Sequence, residues 1–167
     1  MQRLHLHYCA GLMGSEKMQK LKLDEVIPLE EYHRQRAEFR REVMAHKEHR
    51  QVAIGPHGTL YFENRLTIQY QIQEMLRDER IFETEAIQEK LDAFNPLIPD
   101  GNNLTATFMI EYEDATKRQA ALAKLVGIED LVWARIGKAD RVWAIADEDI
   151  ERSREGGRGH RHRYRTR

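Results

Sequence analysis

The sequence has very little cysteine: Cys9 is the one cysteine in 167 residues. An intramolecular disulfide therefore cannot form, and a metal site built from several thiolates of one chain is excluded. Glycine and proline are also few, with 10 and 4 positions, which excludes a collagen-like or low-complexity body. No apolar run approaches the roughly 20 residues that cross a bilayer. The amino terminus also lacks the run of about 7–15 apolar residues of a secretory signal. We therefore expect a soluble, cytoplasmic protein without membrane association.

Motifs for nucleophilic catalysis and for phosphate binding are equally scarce. Cys9 and Ser15 lie in the predicted leader and Ser153 lies after the last predicted strand, so a serine or cysteine triad lacks its nucleophile. The glycine-containing segment GPHG at 55–58 has the wrong spacing for a Walker motif, and it joins two predicted strands instead of opening a helix. The residues alone therefore leave open whether the protein is an enzyme.

Charge is abundant but unevenly distributed. Residues 156–167 hold five arginines and no acid, whereas residues 18–155 hold 20 basic and 27 acidic side chains. Because an acidic body is a poor surface for a phosphate backbone, we expect nucleic-acid binding only through the basic tail. Arginines with an interspersed tyrosine suit a single strand. The alternative is a plain low-complexity terminus that keeps the chain in solution.

The order of the predicted elements favours an α+β fold. Apolar positions recur at helical spacing in four segments, at residues 29–46, 66–80, 84–95 and 114–126. Runs of β-forming residues predict two hairpins and one strand, at residues 51–63, 131–146 and 103–112. We therefore expect one domain in which a small, mostly antiparallel sheet packs against several helices.

Three segments of different composition define the predicted domain organisation. Residues 1–17 are predicted to be a poorly structured leader, and residues 18–155 a single α+β domain. Residues 156–167, rich in Arg, Gly and His, are predicted to be a disordered tail.

Polar side chains are densest in the middle of the chain. On the second predicted helix, Tyr70, Glu74 and Arg77 share one face because they are spaced four and three residues apart. Such a helix, lying beside an apolar stripe, can present hydrogen-bonding groups into a cleft. The candidate residues of this polar cleft are Tyr70, Gln73, Glu74, Arg77 and Arg80. The alternative is a solvated helix face with weak surface ion pairs.

Histidine and glutamate in the same region suggest metal ligation. His46 and His49 are three residues apart at a helix end, where they could share a face. The candidate ligands are His46, His49, His57 and Glu63, with Glu74 as a further carboxylate. Two imidazoles and one carboxylate with open positions would suit Fe, Mn or Zn. The spacing matches no HExxH or CxxC motif, and a histidine near an apolar stripe is alternatively a hydrogen-bonded core residue.

Four segments in combination resemble the bacterial family called domain of unknown function 3501. They are the GPH turn, the FE-R segment, the YQ-QEMLR-ER helix and the N-LIPDG loop, and the resemblance runs from about Leu29 to Glu151. The family has no assigned activity, so the resemblance implies no role for any residue. Its members usually end in a further apolar strand. Here an arginine-rich tail replaces that strand, so we expect one open sheet edge.

The resemblance also implies a functional setting. Genes of the family often lie beside those for rubrerythrin-like proteins and for iron–sulfur, cysteine-rich oxidoreductases of the heterodisulfide-reductase type. This implies an accessory role in redox or peroxide metabolism, exerted through contacts with such proteins, with homo-oligomer formation left open. The alternatives are a metal-dependent enzyme or metal-binding protein, and a nucleic-acid binder that uses the tail.

Overall fold

A computed structural model describes residues 19–125, 127–146 and 159–166, and it confirms the α+β class. The helices within these residues are α1 (Leu29–Glu48), α2 (Arg65–Glu79), α3 (Thr84–Phe94) and α4 (Ala115–Lys124). The strands there are β1 (Gln51–Ile54), β2 (Gly58–Phe62), β3 (Thr105–Glu111), β4 (Trp133–Ala134), β5 (Val142–Trp143), β6 (Ile145–Ala146) and β7 (Gly159–Arg165). The predicted leader 1–17 lies outside the described residues.

The described residues form two compact units, and each is treated by itself below. The helical unit contains α1, α2 and α3, from residues 19–50 and 63–102. The sheet unit contains α4 and all the described strands, from residues 51–62 and from the chain after residue 102. The predicted bounds of one domain at residues 18 and 155 stay a prediction.

The helical unit follows from apolar periodicity and from local capping. Ile68, Ile72 and Leu76 recur at spacings of four on α2 and are buried. They pack with apolar residues from the rest of this unit, including Leu21, Leu91, Phe94 and Ile98. The first turn of α2 is closed by a capping box, in which Asn64 Oδ1 accepts from Thr67 N at 3.1 Å and Thr67 Oγ1 accepts from Asn64 N at 2.9 Å.

The sheet unit contains a five-stranded antiparallel sheet in the order β1-β2-β3-β7-β6. The predicted turn at 55–58 joins β1 to β2, with Ile54 paired to Gly58. Strand β3 is buried almost throughout, as expected for a strand in the interior of a sheet. Leu122 and Leu125, from α4 and its end, pack on the apolar cluster of this sheet.

The prediction of a disordered tail and an open sheet edge is wrong for residues 159–165. These residues form β7, which pairs with β3 from Thr105↔Arg165 to Glu111↔Gly159 and also pairs with β6. Backbone pairing explains the result: the edge of β3 carries N–H and C=O groups that need partners, and any non-proline segment can supply them. Charge composition therefore did not predict the structure of the tail.

The predicted hairpin at 131–146 forms only a short ladder. Trp133 pairs with Trp143 and Ala134 pairs with Val142, in a separate two-stranded sheet. The following residues leave this ladder, because β6 pairs with β7 in the five-stranded sheet. The repeated VWA sequence thus places the two tryptophans directly opposite one another.

Candidate functional site

Glu74 is the centre of the predicted polar cleft, and its carboxylate is bound by side chains of α1. The Tyr32 hydroxyl donates to Glu74 Oε1 at 2.7 Å. Arg36 Nε donates to Oε1 and Arg36 Nη2 to Oε2, both at 2.7 Å, which forms a bidentate pair. These three bonds join α1 to α2 around one half-buried carboxylate.

The same contacts set the protonation state of this cluster. Hydrogen bonding to Arg36 holds the pKa of Glu74 at about 2, although partial burial opposes the shift. Burial, and then the bond to Glu74, raises the pKa of Tyr32. At neutral pH Glu74 is therefore an ionised acceptor and Tyr32 a neutral donor. A carboxylate with so low a pKa is a poor general base, so the geometry favours a structural role for this pair.

The other residues of the predicted cleft have separate roles. Gln73 is buried, and its amide accepts from Ile27 N at 2.9 Å and donates to Ile27 O at 3.0 Å. Arg80 ends α2 in the left-handed conformation, with φ of 55°, and is exposed. Arg77 Nη2 contacts Asp78 Oδ1 at 2.5 Å, while its Nε lies 3.7 Å from Glu74 Oε1. Tyr70, Glu74 and Arg77 therefore belong to one cluster. Gln73 binds the backbone of Ile27, and Arg80 is the residue at which α2 ends.

Sequence reasoning missed the contribution of α1 to this cluster. Phe39 packs edge-on against Tyr32, with ring centroids 6.0 Å apart, and lies 6.1 Å from Tyr70. Arg36 provides the one available signal, because it interrupts the apolar stripe between Tyr32 and Phe39. A charged residue on a buried stripe indicates a buried or half-buried partner of opposite charge.

The predicted metal ligands are engaged in other contacts. His46 Nε2 lies 2.9 Å from Asn64 Nδ2, and Glu63 is buried and accepts from Thr67 Oγ1 at 2.6 Å. His57 stacks on Tyr112 with ring centroids 3.9 Å apart, and His49 follows the last residue of α1 as its C-cap. Within residues 19–125, 127–146 and 159–166, no group of three or more His, Cys, Asp or Glu side chains is arranged to hold a metal ion.

A second feature, which sequence reasoning did not single out, is the apolar surface of residues 131–146. Five large apolar side chains are exposed there: Leu131 at 69%, Ile136 at 56%, Val142 at 40%, Trp143 at 54% and Ile145 at 43%. We call these five residues the hairpin surface. Val142 and Trp143 are successive residues of β5 and so point to opposite faces, which means that both faces of the hairpin expose apolar side chains.

Basic residues accompany the hairpin surface. Arg141 Cζ lies 4.4 Å from the centroid of the Trp133 ring, a cation–π contact that orients both side chains. Arg135 and Lys138 lie in the same segment, where Asp140 is the one acid. Tryptophan and arginine are the residue types enriched at energetically important positions of protein interfaces. The surface therefore has the composition of a binding surface.

Comparison with known proteins gives the class of protein. The family described as Protein of unknown function (DUF3501) matches residues 20–160. The chain is also similar to a crystallised protein of unknown function from Burkholderia pseudomallei, with 48% sequence identity and a TM-score of 0.79. That similarity covers 89% of this chain and 77% of the other. The chain therefore belongs to the DUF3501 family, as its motifs predicted.

Neither the curated proteins nor the helix lengths point to a particular function. No curated protein matches the chain. None of the helices in the described residues is long and apolar enough to cross a membrane.

Proposed function

We propose that this protein is a non-catalytic accessory protein that binds a protein partner through the hairpin surface. The observation that carries the proposal is the exposure of five large apolar side chains within residues 131–146, with Val142 and Trp143 on opposite faces of β5. Scattered single apolar residues are ordinary on a protein surface. Several within one short segment instead favour an interaction site.

The energetics of such a surface are consistent with binding. Full burial of an exposed large apolar side chain is worth about 1.5–3 kcal/mol, and these five side chains, which are 40–69% exposed, would each gain part of that. Tryptophan and arginine side chains that fill a partner's pocket are frequent anchors of protein interfaces. The contact of Arg141 with Trp133 already orders part of the surface, which reduces the entropy lost on binding.

The redox setting of the proposal comes from the family. Rubrerythrin-like proteins and iron–sulfur oxidoreductases are the partners that its gene neighbourhoods suggest. The chemistry of the Glu74 cluster supports a non-catalytic role, because Tyr32 and Arg36 use the carboxylate for pairing between helices. We therefore place the protein as an accessory component of redox or peroxide metabolism.

The test is affinity capture from native cells with the full chain as bait. Trp143→Ser removes the central indole of the hairpin surface. Phe82→Ser is the matched control, because Phe82 is an exposed aromatic residue, at 67%, in the helical unit. Wild type and Phe82→Ser should enrich a rubrerythrin-like or iron–sulfur protein, and Trp143→Ser should lose about nine tenths of that enrichment. Equal recovery by all three baits, or recovery of no redox protein, would contradict the proposal.

A further inference from the structure

A row of cations on α1 faces the side of α2 that carries Tyr70. Arg36, Arg40 and Lys47 are spaced four and seven residues apart, which places them along one side of the helix. Arg36 is neutralised by its bidentate pair with Glu74. The other two cations lie next to Tyr70 instead of a carboxylate.

The contacts of Arg40 and Lys47 define this small site. Lys47 Nζ lies 5.8 Å from the centroid of the Tyr70 ring. The charge of Arg40 and its hydrogen bonding to Tyr70 partly oppose the rise in the pKa of that phenol. In the part of the chain that the structure describes, no ion pair joins Arg40 or Lys47 to an acid. Arg40 and Lys47 therefore both lie beside the half-buried Tyr70, and no acid of the described residues neutralises either charge.

The acids of α2, Glu74, Asp78 and Glu79, are all paired with other groups. Glu74 accepts from Tyr32 and Arg36, and Asp78 pairs with Arg77. Glu38, two residues before Arg40 on α1, is paired with Arg41 at 4.0 Å. The positive charge at Tyr70 is therefore available to an anion from outside the chain.

The site is also held in place before any ligand arrives. The Arg36–Glu74 pair and the ring contacts of Phe39 fix α1 against α2 immediately beside Tyr70. Burial, followed by the charge of Glu74, raises the pKa of Tyr70, so its hydroxyl stays protonated at neutral pH. Pre-organised donors bind an anion at a lower entropic cost than mobile surface lysines do.

We propose that Arg40, Lys47 and Tyr70 form a binding site for a small oxyanion, a phosphate or carboxylate group. The planar guanidinium of Arg40 suits two oxygens of one such group, while the Lys47 ammonium adds a compact charge. The protonated hydroxyl of Tyr70 can donate a further hydrogen bond to the anion. This site belongs to the helical unit and is independent of the proposed function of the hairpin surface.

Calorimetric titration of the full chain with inorganic phosphate tests the proposal, with sodium acetate as the carboxylate probe and chloride holding the ionic strength constant. Phosphate should saturate one site, and Arg40→Gln and Lys47→Gln should each weaken it by about tenfold. Arg41→Gln is the matched control: it removes an exposed arginine one position along α1, and it should leave affinity within about twofold. If acetate binds as tightly as phosphate, the site recognises carboxylates; if only phosphate binds, it recognises phosphates.

Either of two results would overturn the proposal. One is the absence of saturable binding of both anions to the wild-type chain. The other is an equal loss of affinity in Arg41→Gln and Arg40→Gln, which would show general attraction to a basic helix. The thermal midpoints of Arg40→Gln and Arg41→Gln, measured alongside, should match wild type because both arginines are exposed.

Discussion

The hydroxyl of Tyr32, a fully buried residue, donates a 2.7 Å hydrogen bond to Glu74 Oε1 across the interface of α1 and α2. Arg36 completes the coordination of the same carboxylate from one turn further along α1. The polar cleft that the sequence predicts along α2 alone thus contains a connection between two helices. Because the Glu74 carboxylate is occupied by Tyr32 and Arg36, the binding proposals rest on Arg40, Lys47 and the hairpin surface instead.

Replacement of Glu74 by Gln should lower the stability of the protein. The variant keeps the shape of the side chain but loses the charge that binds Arg36, and it leaves an amide nitrogen where an acceptor is needed. We expect a loss of about 1–3 kcal/mol in the free energy of unfolding, measured by urea denaturation. Glu38→Gln, at an exposed position with a 4.0 Å pair, should change it by less than about 0.5 kcal/mol. Equal effects of the two substitutions would show that the Glu74 cluster stabilises nothing.

Stability should fall in acid in a range set by Glu74. Hydrogen bonding to Arg36 lowers the pKa of Glu74 from its ordinary value of 4.5 to about 2 in the folded protein. Its contribution is therefore complete above about pH 4.5 and is lost as the pH falls towards 2, with a maximum of about 3 kcal/mol. Unfolding measured from neutral pH to pH 2.5 should show a smaller decline in Glu74→Gln than in wild type. Parallel curves for the two proteins would exclude Glu74 as the group responsible.

Gly58 is expected to tolerate no side chain at the start of β2. A Cβ at this position would lie 2.9 Å from Ile54 O and 2.9 Å from Phe108 Cε2, so the paired strand and a core ring would have to move. Gly58→Ala should therefore cost about 1–3 kcal/mol in thermal or chemical unfolding. Ala53→Ser, at an exposed position of β1, is the control and should stay within about 0.5 kcal/mol. A stable Gly58→Ala variant would mean that the β1–β2 turn packs differently.

Removal of residues 156–167 should damage the fold. The truncation takes away β7, so β3 keeps β2 on one side but loses its antiparallel partner on the other side over Thr105–Glu111. We expect a thermal midpoint lowered by at least about 10 °C, or insoluble protein, because a buried strand is left with unpaired backbone groups. Arg161→Gln with Arg163→Gln, in the full chain, should keep the wild-type midpoint, since backbone pairing needs no charge. If the truncated chain is as stable as the full chain, β7 is dispensable.

Local patterns predicted most of the individual elements, because apolar spacing and turn residues act within a few positions of the chain. Helix α1 is predicted at 29–46 and observed at Leu29–Glu48, and the turn at 55–58 is where the sequence places it. Pairings between distant segments could not be predicted from these local patterns. Tyr32 and Glu74 are far apart in sequence, and nothing in α2 alone indicates which residue meets the carboxylate.

The errors have a common physical origin. The tail was assigned from its charge, but β7 forms because the edge of β3 requires backbone partners, and that requirement is visible only in the sheet. The hairpin surface could not be predicted from the sequence, because a hairpin strand carries apolar residues such as Trp143 whether or not they are covered. Sequence shows that a residue is apolar, whereas exposure depends on the packing around it.

Growth of a deletion strain under hydrogen peroxide tests the central claim most directly, with the gene supplied as wild type, Trp143→Ser or Phe82→Ser at equal protein levels. Our account predicts that wild type and Phe82→Ser restore growth, whereas Trp143→Ser does not, although it folds with the wild-type thermal midpoint. Full restoration by Trp143→Ser, or a deletion strain that grows normally in peroxide, would contradict it.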